Sequence, residues 1–176
     1  MNTRTVMHDA DIARALTRIS HEILESNKGP EGLVLLGIPT RGVTLANRIG
    51  PLVSEFGGAS VPVGSLDVTM YRDDLHRNPT RAPRKTEIPA GGIYGRTVVL
   101  IDDVLFSGRS IRAALDALQD IGRPAAVRLA TLIDRGHREL PIRPDFVGKN
   151  LPSARDERVN VRLAEIDGVE EVTIES

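Results

Sequence analysis

Val98-Val99-Leu100-Ile101-Asp102-Asp103-Val104-Leu105-Phe106-Ser107-Gly108-Arg109-Ser110 is the stretch that decides how this chain is read. Arg96-Thr97 leads into its apolar start, and together they predict a buried central strand, Arg96–Ile101. That strand runs into two carboxylates, Asp102 and Asp103. A compact loop with a hydroxyl, a glycine and a second hydroxyl then opens a helix over Arg109–Leu118. Its inner side is Ile111, Ala114, Leu115 and Leu118, and Gly122 lies just past its end. Free N–H groups at such a helix start point at an anion, and the helix dipole favours phosphate there. Ser107 and Ser110 offer hydroxyl donors, and Gly108 lets the backbone come close. The carboxylates suit sugar hydroxyls, or a magnesium ion held partly through water. One acid at a strand end often merely decorates a turn. Two acids followed by hydroxyl, Gly, Arg and hydroxyl is far less generic. Neither GxxxxGK(S/T) nor GxGxxG occurs, which sets aside the two commonest nucleotide-binding loops.

Outward from this stretch, strand and helix patterns alternate. Asp9 is a candidate cap for a first helix running to about Ser26, with Ile12, Leu16, Ile19 and Ile23 on its buried face. Leu33–Ile38 reads as a buried strand broken by Pro39-Thr40-Arg41-Gly42. A helix is expected over Val43–Phe56, with Pro51 kinking or shortening it. Val61–Leu66 and Ala126–Ile133 read as further strands. Phe146-Val147, Val159–Leu163 and Val172–Ile174 are short candidates. This order predicts an α/β fold with a mainly parallel central sheet flanked by helices. Ligands in such folds sit beyond the carboxyl ends of the strands. The charged groups Thr40-Arg41, Asp102-Asp103 and Asp134-Arg135 all follow strands. Residues 67–95 are the exception, with Arg72, Asp73, Asp74, Arg77, Arg81, Arg84 and Lys85 among few apolar residues. A stretch of that length suits a binding arm or hood, preferably a two-stranded excursion; surface decoration is the other reading.

Composition bounds the function. The chain has 176 residues, 40% apolar and 27% charged, which suits one soluble domain over residues 1–176. Only 3% are aromatic, with no Trp, so a stacking platform for single strands is not expected. Without cysteine there is no disulfide or thiolate site. A net charge of −1 argues against a strongly basic nucleic-acid binder, though not against a local basic face. The first 30 residues lack a signal-type apolar run, and nothing approaches the roughly 20 apolar residues of a membrane span. A cytoplasmic location is expected.

The segment Val98–Ser110 resembles the signature of type I phosphoribosyltransferases. A larger set of pieces resembles the PyrR family, the bifunctional pyrimidine operon regulators with uracil phosphoribosyltransferase activity. These are Ala15–Ile19, Gly37–Gly42, Tyr71-Arg72-Asp73-Asp74-Leu75, Asp134–Arg143 and Gly148-Lys149-Asn150. The resemblance implies phosphoribosyl pyrophosphate (PRPP) as donor, uracil as acceptor, UMP and pyrophosphate as products, and Mg2+ as cofactor. It implies that Asp102 and Asp103 meet the ribose hydroxyls. Val104, Leu105, Phe106, Ser107, Gly108, Arg109 and Ser110 would hold the 5'-phosphate, and Thr40, Arg41 and Gly42 the pyrophosphate. Arg41 suits that role because its guanidinium is a rigid donor fork. Arg72, on the arm, would approach the leaving group, and the arm would close as a lid that excludes water. Asp134, Arg135, Val147 and Lys149 would border the base, with Asp134 joining Asp102 and Asp103 near the metal through water or PRPP. His137 is as much an ordinary loop histidine as a general base. Many purine-using relatives place an acid where this chain has Phe106, which weighs against a purine and leaves no obvious general base.

The family also implies binding of pyr operon leader mRNA under control of UMP or UTP, and assembly as a homodimer or larger ring. Thr17, Arg18, His21 and Lys28 are the RNA-facing candidates on the first helix; a solvated helix face is the plain alternative. Many members carry basic residues where this chain has Ser26 and Pro39, so two phosphate contacts are missing. Replacing Arg18 with Ala is expected to weaken RNA binding and spare turnover. Two further functions stay open: a purely regulatory nucleotide sensor, and a phosphoribosyltransferase for another base.

Overall fold

The computed structural model describes residues 2–74 and 82–176. Its main sheet is five-stranded and wholly parallel. The strands are β2 (Leu33–Gly37), β3 (Val63–Ser65), β4 (Thr97–Leu105), β5 (Ala126–Asp134) and β6 (Phe146–Asn150), in the order β3-β2-β4-β5-β6. A second sheet is antiparallel, in the order β1-β8-β7, from β1 (Thr3–Met7), β7 (Arg158–Arg162) and β8 (Glu171–Glu175). The helices are α1 (Asp9–Asn27), α2 (Arg41–Gly57), α3 (Arg109–Gln119) and a single turn, α4 (Ala164–Asp167).

The central strands are apolar on both sides because both sides are covered. Their period of two divides them between two cores. Leu33, Leu35, Val99 and Ile101 pack with Ile12, Ile19, Ile23, Leu45 and Ile49 of α1 and α2. Val34, Leu36, Val98 and Leu100 pack with Ile111, Ala114 and Leu118 of α3. The predicted α/β architecture is therefore the one observed.

Several boundaries differ from the expectation. α1 is capped by His8 rather than Asp9: the Asp11 carboxylate accepts the His8 N–H at 2.8 Å. α2 continues through Pro51 to Gly57. β4 does not stop at Ile101. It pairs with β5 through Asp102–Thr131, Val104–Ile133 and Leu105–Asp134, which takes both acids into the strand. β1 was not anticipated, since Thr3-Arg4-Thr5 is polar and mostly exposed; its partner β8 lies at the other end of the sequence.

The two-stranded excursion is not what the described part of residues 67–95 forms. It holds a 3-10 turn, Thr69–Tyr71, and one isolated antiparallel bridge, Ser65 to Glu87. Pro83 and Pro89 supply no N–H for a ladder, and the Asp67 carboxylate takes the Thr69 hydroxyl proton at 2.7 Å. Residues 75–81, with Arg77 and Arg81, lie outside the described residues.

Candidate active site

The parallel register sets the carboxyl ends of β2, β4, β5 and β6 side by side, and three cavities open there. Two share a wall. The first is lined by Arg72, Asp73 and Asp74, by Asp102, and by Val104–Ile111. The second is lined by Ile38–Arg41, Val68, Arg72, Asp102, Asp103, Val104 and Ser110. The third lies beyond β5 and β6, between Asp134, Arg138, Leu140–Pro144, Val147 and Asn150.

In the first cavity, Gly108 has φ 95°, a left-handed conformation that turns the loop into α3. The first helical bond is Arg112 N–H to Gly108 O at 3.0 Å. The N–H groups of Ser110 and Ile111 precede it and have no partner within the helix. The Ser107 carbonyl accepts the N–H groups of Glu139 and Leu140, which fastens the loop to the segment after β5. The Arg109 guanidinium does not stay with its loop. It reaches Glu139 at 2.9 Å and Asp73 at 2.6 Å, joining the arm to the loop after β5. Arg72 grips Asp74 through two N–H groups, each at 3.0 Å.

Between the first two cavities stand the acids. Asp102 accepts the Asp103 N–H at 2.9 Å and Asp103 accepts the Val104 N–H at 2.8 Å. The second cavity is bounded by the turn into α2, where the Pro39-Thr40 peptide is cis. Gly42 lies so close to β4 that any Cβ there would overlap the Ile101 carbonyl oxygen. Arg41 donates Nε and Nη2 to Asp167, at 3.2 and 2.6 Å. That pairing, with Asp103 nearby, raises the Arg41 pKa above its ordinary value and holds Asp167 below the carboxylate range.

The third cavity has an apolar floor of Leu140, Pro141, Ile142, Pro144 and Val147. At its rim the Asp134 carboxylate is held by Arg138 Nη2 at 2.6 Å. Arg138 also donates to the carbonyls of Phe106 and Ile142, at 2.8 and 2.7 Å. Arg135 turns the other way. It is buried, lies 4.1 Å from the Phe106 ring centroid, and donates to Ser153 Oγ and the Ala154 carbonyl. Lys149 is exposed, and Asn150 borders the cavity instead. The His137 ring lies 2.5 Å from the Ser153 carbonyl through Nε2, so that nitrogen is engaged away from the cavity. Among the described residues no three His, Cys, Asp or Glu side chains converge on a metal position, and Asp134 is not grouped with Asp102 and Asp103.

The candidates on α1 are also engaged. Thr17 Oγ1 donates to the Ala13 carbonyl at 3.0 Å. His21 stacks on Phe56 with centroids 4.1 Å apart. Lys28 ends the helix with φ 58°. Arg18 pairs with Glu22 and donates to the carbonyls of Val147 at 3.0 Å and Gly148 at 2.6 Å on β6. Among the described residues no helix is long and apolar enough to cross a membrane.

The phosphoribosyl transferase domain family matches residues 5–163. The bifunctional protein PyrR of Leifsonia xyli subsp. xyli is 70% identical over 180 residues, covering 99% of this chain and 98% of that protein. The chain belongs to the PyrR family. A second PyrR relative, from Streptomyces coelicolor, is 63% identical over 171 residues, covering 97% of this chain and 89% of its own. The solved hypoxanthine phosphoribosyltransferase of Trypanosoma cruzi, in complex with IMP, superposes with a TM-score of 0.73 at 15% identity, covering 98% and 93% of the two chains. That of Staphylococcus aureus gives 0.68 at 19%, covering 96% and 90%. At such identity these two structures speak for the fold of this PyrR-family chain alone. Asp167 and Arg138 escaped the reading of the sequence. The signal for Asp167 was faint: Arg41 and Arg48 stand seven apart, on one face of α2, and each needs an acid.

Proposed function

We propose that this PyrR-family chain transfers the phosphoribosyl group of PRPP to uracil, giving UMP and pyrophosphate, and that it regulates pyrimidine genes by uridine-nucleotide-dependent binding to pyr leader mRNA. The observation that carries the enzymatic half is the pair of adjoining cavities at the strand ends, with a third, apolar one beyond β5 and β6. They match the three parts of the reaction: sugar phosphate, pyrophosphate and base.

In this reading the Ser110 and Ile111 N–H groups, with the Ser107 and Ser110 hydroxyls, donate to the 5'-phosphate. Val104–Phe106 and Gly108 shape that loop, and Arg109 ties it to the arm. Asp102 and Asp103 accept from the ribose hydroxyls. Thr40, Arg41 and Gly42 take the pyrophosphate, and Arg72 leaves Asp74 to join them. Val147 and Asp134 border uracil, with Asn150 in the place expected for Lys149. The uracil ring nitrogen attacks the anomeric carbon as the bond to pyrophosphate breaks, and its proton passes to solvent. Stabilisation of the departing charge does most of the work. Asp102 and Asp103, at a polar strand end, suit a Mg2+ ion held mainly by PRPP and water; when bound it neutralises pyrophosphate charge. The arm at residues 67–95 closes over the site and excludes water.

For the regulatory half, Thr17, Arg18, His21 and Lys28 on α1 are the proposed RNA face, controlled by UMP or UTP. A homodimer or higher homo-oligomer would repeat that face, and the protein would act in the cytoplasm.

A paired assay tests both halves. PRPP and uracil with Mg2+ yield UMP, and hypoxanthine, guanine and orotate do not; no uracil turnover would sink the enzymatic half. UMP strengthens binding to the leader RNA of the protein's own pyrimidine genes at stated salt. Binding no tighter than to an unrelated hairpin would remove the regulatory half. Asp103→Ala loses turnover and keeps RNA binding.

A further inference from the structure

We infer that Asp167 is a positioning residue for the transfer reaction: it clamps the Arg41 guanidinium from outside the cavity, so that one edge of that group faces the leaving pyrophosphate. The inference rests on the reading of Arg41 as a pyrophosphate ligand.

The Asp167 carboxylate is fixed by bonds of its own, apart from those to Arg41. The Asp167 N–H donates to the Leu163 carbonyl at 2.7 Å, and Asp167 Oδ2 accepts the Leu163 N–H at 2.8 Å. Both bonds lie within the turn of α4, which fixes the carboxylate. Arg41 then docks side-on, through Nε and Nη2. Its side chain keeps 32% exposure and that of Asp167 only 17%. Asp167 does not line the cavity that Arg41 lines with Thr40, Asp102 and Asp103. The paired edge therefore faces α4, and Nη1 is left for an oxyanion.

A free arginine side chain carries considerable rotamer entropy. A guanidinium already held in place loses little freedom on meeting pyrophosphate, and it stands where the extra charge of the departing group builds up. A misplacement of about 1 Å can cost a hundredfold in rate. The opposite role is also chemically coherent: Asp167 as a mimic of pyrophosphate, competing for Arg41. The two differ in sign. A competitor, once neutralised, frees Arg41 and tightens PRPP binding. A clamp, once neutralised, lets Arg41 wander and slows the chemical step.

Asp167→Asn keeps the shape and the bond to Leu163 but removes the charge on the clamp. The expected result is a kcat roughly tenfold to a hundredfold lower, with the uracil KM unchanged and the PRPP KM unchanged or raised. Glu165→Gln is the companion variant, because Glu165 holds α4 to α2 through Arg48 and does not touch Arg41. It is expected to keep kcat within about twofold. Equal losses in the two variants would make Asp167 a docking contact only and overturn the clamp. An unchanged kcat in Asp167→Asn, or a lower PRPP KM, would overturn it too. A separate readout distinguishes this from failure of the enzymatic reading. The Arg41 Nε–H resonance is expected to be sharp in the wild type, to move on titration with pyrophosphate alone, and to vanish in Asp167→Asn while that of Arg48 persists. If wild-type protein makes no UMP, this titration still decides the clamp, and an Arg41 signal indifferent to both pyrophosphate and Asp167→Asn overturns it.

Discussion

Arg18 is a single side chain that links α1 to β6. Read from the sequence, it belongs to a solvent-facing stripe on α1, and Arg18→Ala would separate RNA binding from turnover. In the structure its guanidinium crosses to β6 and donates to the Val147 and Gly148 carbonyls. Those carbonyls belong to the strand whose side chains border the third cavity. Arg18→Ala is therefore expected to loosen α1 from β6 and to raise the uracil KM several-fold together with weakening RNA binding. The loss of two bonds from a charged donor, on a half-exposed side chain, amounts to about 1–2 kcal/mol of stability. Steady-state kinetics, RNA titration and a urea midpoint on the same preparation check this; an unchanged uracil KM would return Arg18 to the RNA face alone. Gly42 was legible as part of the turn into α2, and the structure adds a close approach: the space for a Cβ is taken by the Ile101 carbonyl.

Elements were legible where they carry their own pattern. β4 and α3 could be read because apolar period, acid pair, glycine and helix start are contiguous, and β2 and β5 because a fully buried strand is a run of apolar residues. β1 and the true end of β4 were not legible, since both depend on pairing with distant segments rather than on local preference. The same holds for α4. Its four residues look unremarkable, yet Glu165 and Asp167 on it, with Glu170 just beyond, take Arg48 and Arg41 from α2. These ion pairs fasten the antiparallel sheet to the parallel one. Hydrogen bonds from Arg48 hold Glu165 and Glu170 below the usual carboxylate range, and Arg41 does the same for Asp167. The sign follows from linkage. A depressed carboxylate stabilises the fold above its unfolded value, about 4 for Asp and Glu, and that contribution is lost as pH falls through the lower folded value. Protection factors for hydrogen exchange in β1, β7 and β8 are therefore expected to fall below about pH 4 before those in β4 and β5 do. Simultaneous loss of protection in both sheets would show that these pairs do not govern the docking.

At the scale of the whole molecule, the fold mounts the walls of the cavities on its most buried strands. The two cores meet at β2 and β4, where exposure falls to zero at Val34, Leu35, Leu36, Val98 and Leu100. The loop Phe106–Gly108, the acids and the turn into α2 are mounted directly on these strands. Among the described residues, the segment after β3 is tied back by the Ser65–Glu87 bridge and by bonds to Lys85 and Thr86, while Arg72 pairs with Asp74 and Asp73 with Arg109 of α3. The general plan was visible from the sequence because alternating strands and helices allow few arrangements. The pairing of the arginines was not, because Arg41 and Arg109 meet carboxylates that only the fold brings to them, Asp167 for the one and Asp73 and Glu139 for the other, whereas Arg72 and Arg138 pair with acids two and four residues away.

The bond between Tyr71 and Asp120 gives the molecule an optical property. The chain has no Trp and two Tyr, so its ultraviolet emission comes from Tyr71 and Tyr94 alone. Tyr94 is 81% exposed. The Tyr71 hydroxyl donates to the Asp120 carboxylate on the end of α3, which raises its pKa. A carboxylate in that position accepts the phenol proton in the excited state, so Tyr71 is dim while the bond lasts and Tyr94 supplies the constant background. Tyr71 immediately precedes Arg72, and any movement that carries Arg72 from Asp74 toward pyrophosphate pulls on the same turn. Addition of PRPP with Mg2+ is expected to brighten the emission, and Tyr71→Phe to abolish that change, so the emission would report the proposed departure of Arg72 from Asp74.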